Sequence, residues 1–319
     1  MKITEPEIIK NYLKNLTFKN KNSLNLEDDV FYDSKKKIIF STDTFEENTH
    51  FLNSKNPKKF VKKIFRAAIS DILSKGIQPI TYFLSLSLNH VSKKWLTIFK
   101  NELARDSKKF SIFLGGGDTI KSKNLSISIS VLGNTRTKPI LRSGAKINDD
   151  IYITGNLGDS YVGLRVLLKK QKLGKHNEYY KKCYQEPVLS FNFSKFLNKF
   201  ATASMDISDG LIKDASCLSK SSKCELNIDF HKLPFSDKTK FLAKKKKINL
   251  LNIFSRGDDY QILFTAPKKY RRYISRISKK TSTKVSLIGI IKRGRGVKVA
   301  KANQIIKLSG NKSGYIHRF

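Results

Sequence analysis

Carboxylates are scarce in this chain, with 26 Asp and Glu against 63 Lys and Arg. They nevertheless gather in five short clusters: Glu27-Asp28-Asp29, Ser41-Thr42-Asp43, Ser70-Asp71, Gly115-Gly116-Gly117-Asp118 and Asp206-Ile207-Ser208-Asp209-Gly210. Like charges repel, so grouping them costs free energy unless they hold something cationic. The clusters fall at expected strand ends, glycine turns and helix starts, where rigid backbone aims a short side chain at a fixed point. The chain must therefore fold so that separate elements converge on one place. Divalent metal is the first candidate, because Mg2+ takes oxygen ligands and sits between one or two carboxylates and substrate phosphates. Any single cluster has a plainer reading. Asp118 or Asp209-Gly210 alone reads as a turn or cap, and Asp71 as half of a buried ion pair. Five together outweigh those readings.

The pattern between the clusters is that of a mixed α/β chain. Apolar positions Ile8, Ile9, Tyr12, Leu13 and Leu16 predict a helix over Glu5 to Leu16, with Pro6 in its first turn. Ile38 to Phe40 reads as a strand running into Asp43, and Pro57 to Lys75 as a helix closed by Gly76. Asp71 shares one stripe of that helix with Phe60, Ile64 and Ala67, which places a carboxylate on a core-directed face. Thr81 to Leu88 and Leu125 to Leu132 alternate apolar residues with Ser, as half-buried strands do. Between them lie a helix around Trp95 to Ala104 and a strand at Phe110 to Leu114. After Gly144 a second series begins: strands at Ile151 to Thr154, Glu225 to Phe230, Tyr260 to Thr265 and Val285 to Ile291, and helices at Tyr161 to Leu168, Asp209 to Leu218 and Lys268 to Lys279. The expectation is an α/β (α+β) protein with a mixed-sheet domain at 1–143 and an α/β domain at 144–319.

The chain has 319 residues, 39% hydrophobic, enough to build two cores. Its formal charge of +37 raises nucleic acid as a partner, since clustered Lys and Arg displace counterions from phosphate. The basic residues are instead spread along the whole length as solvated faces, and no nucleic acid is expected. Three cysteines without C-x-x-C spacing indicate neither a zinc knuckle nor a disulfide framework. No apolar leader and no long apolar span are read, so a cytoplasmic protein away from membranes is expected.

Two glycine-rich segments, Gly115-Gly116-Gly117-Asp118 and Gly155-Asn156-Leu157-Gly158, would let backbone N–H groups approach a phosphate. Each is weak alone, as glycine also serves turn geometry. No P-loop, dinucleotide fingerprint or protein-kinase catalytic loop occurs.

In order, the chain carries EDD, STDTF with His50 beyond it, AAISD, GGGD, RSGAK, DISDGL, GDDYQILF and a terminal GY and HRF. This series resembles the thiamine-monophosphate kinase family, within the aminoimidazole-ribonucleotide-synthetase-like superfamily of ATP users, nearly end to end. The resemblance implies transfer of the γ-phosphoryl of ATP to thiamine monophosphate, giving thiamine diphosphate. A phosphate acceptor is already anionic and needs no general base, so the site must neutralise charge and align donor with acceptor. Several Mg2+ ions suit that task. The resemblance further implies Asp29, Ser41, Thr42, Asp43, Asp71, Asp118, Asp206 and Asp209 as metal ligands, with Asp43, Asp71 and Asp209 central to catalysis. It implies Gly117, Arg142 and Ser208 as ATP contacts and His50, Asp258 and Tyr315 as substrate contacts. A homodimer in which the N-terminal sheets of two subunits close into a barrel is also implied.

The chain departs from the family pattern in three places. Glu27 stands where members have Gly, Asp258 where they have Glu, and a Pro/Arg-rich segment is eroded to Tyr184-Gln185-Glu186-Pro187-Val188. Two other readings compete. One is a different ATP-dependent enzyme of the same superfamily, such as an aminoimidazole ribonucleotide synthetase, and the other is a basic nucleic-acid-binding protein.

Overall fold

The computed structural model describes residues 3–89, 91–302 and 304–306. Its first sheet consists of β1 (Phe31–Asp33), β2 (Ile38–Glu46), β3 (Pro79–Leu88), β4 (Phe113–Lys121) and β5 (Ser126–Asn134) in the order β1-β2-β5-β3-β4. All neighbours are antiparallel except β3 and β4. That parallel pair needs a crossover, which the Lys93–Phe110 helix supplies. Side chains alternate across the sheet. Ile39 and Phe45 of β2 and Ile127, Ile129 and Val131 of β5 are buried on one face. On the other face Thr42 and Thr44 pair their hydroxyls with Ser130 and Ser128 at 2.9 and 2.8 Å.

The Val61–Ser74 helix covers the apolar face and positions the site. Its run of Ile64, Phe65, Ala67, Ala68, Ile69, Ile72 and Leu73 is buried nearly all round, because it touches β2 and β5 on one side and a strand of the second sheet on the other. Each of its large apolar side chains contributes about 1.5–3 kcal/mol by leaving water. Gly76 ends it at φ +74, where a Cβ would stand 2.7 Å from Asn198 Oδ1.

The second sheet is built from β6 (Asp150–Thr154), β7 (Ala203–Ile207), β8 (Glu225–Asp229), β9 (Gln261–Ala266), β10 (Val285–Lys292), β11 (Gly296–Lys301) and β12 (Gln304–Ile305). Their order is β12-β11-β8-β10-β6-β9-β7. Strand β7, fully buried, forms the edge that faces the Val61–Ser74 helix. Ser204 Oγ of β7 donates to the Ser74 carbonyl at 2.6 Å. No described helix is long and apolar enough to cross a membrane.

The pattern-based expectations hold for most elements and fail at three points. The predicted opening helix is α-helical only over Glu5–Ile8, continuing as a π turn at Ile9–Leu13 and a 3-10 turn at Lys14–Thr17. The predicted strand at Phe110 to Leu114 with a glycine turn is instead one strand, β4, running through the glycines. At Gly117 a Cβ would lie 1.9 Å from the Leu84 carbonyl oxygen, so this glycine is required by close approach of β3. Strands β1, β7, β11 and β12 and the Asn177–Gln185 and Asp237–Lys244 helices have no counterpart in the sequence reading.

Candidate active site

Asp29, Asp71 and Asp206 meet where the two sheets face each other, each offering a carboxylate oxygen within 4.8 Å of the others. Asp29 comes from the loop before β1, Asp71 from the last turns of the Val61–Ser74 helix, and Asp206 from the end of β7. Ser70 Oγ donates to Asp206 Oδ2 at 2.6 Å. Asp43 lies on β2 beside them. Burial and the charge of Asp206 push its carboxyl up to about 7. Burial raises Asp71 well above the usual range, with Asp43 and Asp206 adding to it. Asp206 is raised by burial, which the Ser70 hydrogen bond and the Lys75 and Arg142 cations offset in part. Asp43, Asp71 and Asp206 are all shifted upward, with Asp206 acting on Asp43 and both acting on Asp71, a pattern typical of functional clusters.

Cations surround the group. Arg142 grips Asp29, its Nε lying 2.9 Å from Oδ2 and a terminal nitrogen bonding Oδ1. Lys75 Nζ is 2.7 Å from Asp28 and 3.1 Å from Asp29. Asp209 pairs with Lys213 at 2.5 Å. Beneath it Asp214 accepts the Gly210 N–H at 3.0 Å, and burial raises its carboxyl well above normal. Gly210 adopts φ +122 with the Ser255 carbonyl 2.1 Å from any Cβ, so the turn carrying Asp209 tolerates no side chain there.

A second constellation lies about 12 Å further along the helix axis. Lys63 is buried, and its Nζ is 2.9 Å from Asp258 and 2.7 Å from the His50 carbonyl. Tyr184 also donates to that carbonyl at 3.1 Å and lies under the ammonium. Burial disfavours the Lys63 cation, but Asp258 and Tyr184 outweigh it and hold its pKa above the ordinary value. His50 Nδ1 accepts the Glu46 N–H at 3.1 Å. Asp258 sits at φ +70, with its N–H donating to the Ser208 carbonyl at 2.8 Å. The loop that bears Asp258 thus packs directly on the loop that bears Ser208 and Asp209.

The structure brings together Asp29, Asp43, Asp71 and Asp206 with Arg142, with Asp209 acting on Asp206 from the next turn. It joins His50 to Asp258 through Lys63, while the recorded contact of Ser208 is its carbonyl on the Asp258 N–H. Ser41 faces inward on β2 with Asp43. Three assignments do not converge within this chain. Thr42 alternates to the open face and bonds Ser130, so its side chain turns away from the cluster. Asp118 and Gly117 lie exposed on β4, separated from β2 by β5 and β3, or roughly 14 Å at about 4.8 Å per strand. Tyr315 lies outside the described residues.

Residues 26–135 match the family model for AIR synthase related protein, N-terminal domain. A thiamine-monophosphate kinase of Buchnera aphidicola subsp. Schizaphis graminum is 34% identical, covering 99% of both chains. The chain belongs to the thiamine-monophosphate kinase family. The thiamine-monophosphate kinase of Haemophilus influenzae is 31% identical over 91% of this chain and 90% of its own. A solved structure of AaThiL complexed with AMPPCP and TMP superposes with a TM-score of 0.84, at 27% identity, over 98% of this chain and 97% of that one.

The residues of this family member fit a hard divalent cation. The donors are carboxylate oxygens on two strands, a helix and the loop before β1, and Ser41 Oγ is buried with no hydrogen-bond partner, although buried hydroxyls are normally satisfied. Asp29, Asp43, Asp71 and Asp206, with Ser41 at the margin, are the group that would hold it.

The sequence reading missed Lys63, Lys75 and Asp214. A Lys in a chain so rich in lysine carries no signal of burial by itself. Helical phase offered one for Lys63, which stands seven residues before Ser70 and so shares its face of the helix.

Proposed function

We propose that this chain phosphorylates thiamine monophosphate with ATP, giving thiamine diphosphate and ADP by in-line phosphoryl transfer. The observation that carries the reading is the carboxylate group Asp29, Asp43, Asp71 and Asp206 between two sheets, in a member of the thiamine-monophosphate kinase family. The buried lysine at those carboxyls, Lys75, is taken up by Asp28 and Asp29 at 2.7 and 3.1 Å, and an anionic phosphate acceptor needs no general base. Mg2+, bound at the carboxylates, supplies the positive charge that lets two polyanions approach. Arg142 is suited to phosphate oxygens, because a guanidinium offers two parallel hydrogen bonds. Ser208 and Gly117 complete the proposed ATP contacts, and His50, Asp258 and Tyr315 the contacts with the thiamine end.

Asp118 and the side chain of Thr42 face away from this chain's own cluster, and among the described residues β4 ends the sheet with an unpaired edge. A homodimer is the reading that accommodates both, since a bare edge strand is a liability. A division at 143/144 is part of this reading, supported by the first sheet's last strand ending at Asn134 and the second sheet's first strand beginning at Asp150.

The test is an assay of the purified chain with ATP, Mg2+ and thiamine monophosphate, thiamine or an aminoimidazole precursor as acceptor. Thiamine diphosphate formed from the monophosphate alone supports the reading. Efficient phosphorylation of free thiamine, or full turnover in Asp43→Asn or Asp209→Asn, would count against it.

A further inference from the structure

Lys75 follows the Val61–Ser74 helix, at the end where the helix dipole favours a cation. Its side chain is 0% exposed. Nζ lies 2.7 Å from Asp28 Oδ1, 3.1 Å from Asp29 Oδ2 and 3.3 Å from the Ser204 carbonyl. Those partners come from the loop before β1 and from β7, and together they use every donor an ammonium has. Arg142 and Lys213, the other cations at the cluster, keep 17% and 16% of their side chains exposed and have solvent into which to swing. Lys75 has none. The same charge bears on Asp71 and Asp206, where it opposes the effect of burial on both carboxyls.

We propose that Lys75 is a built-in cation of the acidic cluster and a positioning residue for metal. It supplies one fixed positive charge on the Asp28–Asp29 side, so the carboxylates keep their arrangement before a divalent ion arrives. The same charge repels that ion, and the cluster grips it less tightly than its carboxylate number alone would give. The proposal rests on reading the cluster as a metal site. The competing description is a strut, in which Lys75 ties the loop before β1 to the helix end and metal is indifferent to it.

The two are separated by Lys75→Met in the full chain, using thermal unfolding in chelator and in Mg2+, and Mn2+ titration followed by the paramagnetic resonance of the free ion. The variant is expected to lose several degrees in chelator, to regain most of that loss in Mg2+, and to bind Mn2+ at least roughly tenfold more tightly, as removal of a nearby like charge requires. Asp28→Asn combined with Lys75→Met restores the charge balance and should return Mn2+ affinity to within about threefold of the unmodified chain. An equal loss of stability in chelator and in Mg2+, with unchanged Mn2+ affinity, would make Lys75 a strut and overturn the proposal. If the single variant folds only when Mg2+ is added, the proposal is supported. If it folds in neither condition, the double variant decides by the same threefold criterion, a larger departure overturning the proposal. Should the unmodified chain bind no Mn2+ with or without ATP, the metal reading itself falls, and this proposal with it.

Discussion

Ser70 Oγ and Asp206 Oδ2 stand 2.6 Å apart across the seam between the first sheet's helix and strand β7. This bond fixes the carboxylate of one sheet against the helix of the other. Ser70→Ala should cost about 1.5–3 kcal/mol, the worth of a hydrogen bond to a charged group, and free Asp206 to turn from Asp71. Turnover should fall more than stability. Unfolding midpoints and initial rates on the same preparation check this, and a variant with lowered midpoint but full turnover would show that the bond only fastens the seam.

Asp71→Asn should abolish most turnover while leaving the thermal midpoint equal or higher in chelator. Burial and the charges of Asp43 and Asp206 hold the Asp71 carboxyl well above the usual range, and Asn imitates the protonated acid without the repulsion. Sites built for function commonly trade stability this way. A large drop in the midpoint would mean that the Asp71 charge is a stabilising partner of Lys75 instead.

The cluster should also make stability depend on pH. The Asp43 carboxyl is raised to about 7 by burial and by Asp206, so the folded chain keeps a proton that the unfolded chain has already lost near pH 4. Its contribution is therefore greatest below the unfolded value and declines as pH rises toward 7. Unfolding in chelator at pH 5, 6, 7 and 8, with Asp43→Asn as reference, should show a downward slope that the variant lacks. Mg2+ competes with that proton, and half-saturating Mg2+ should fall over the same range.

Lys63→Met separates the two constellations. Lys63 links Asp258 to the His50 carbonyl, and its loss frees both proposed substrate contacts while the carboxylate cluster is untouched. The KM for thiamine monophosphate should rise about tenfold, the effect of one lost charged contact, with the KM for ATP unchanged. Equal changes in both would place Lys63 in the general packing of the helix.

By itself the sequence determined the class of elements and the identity of the chemical groups. Alternation in Thr81 to Leu88 and Leu125 to Leu132 gave strands, because period two is a property of the extended backbone. The buried stripe of the Val61–Ser74 helix was legible for the same kind of local reason, and the ordered acidic motifs gave the family. Tertiary structure decided which groups meet. Asp29 and Asp206 are far apart in the chain and are joined only because β7 is an edge strand covered by that helix, a relation no local pattern encodes. Side-chain alternation turned Thr42 away from Asp43, and sheet order left Asp118 on the far strand. The burial of Lys63 and Lys75 was equally invisible, since a lysine looks the same in sequence whether water or carboxylates surround it, and only packing sets the dielectric in which its charge acts.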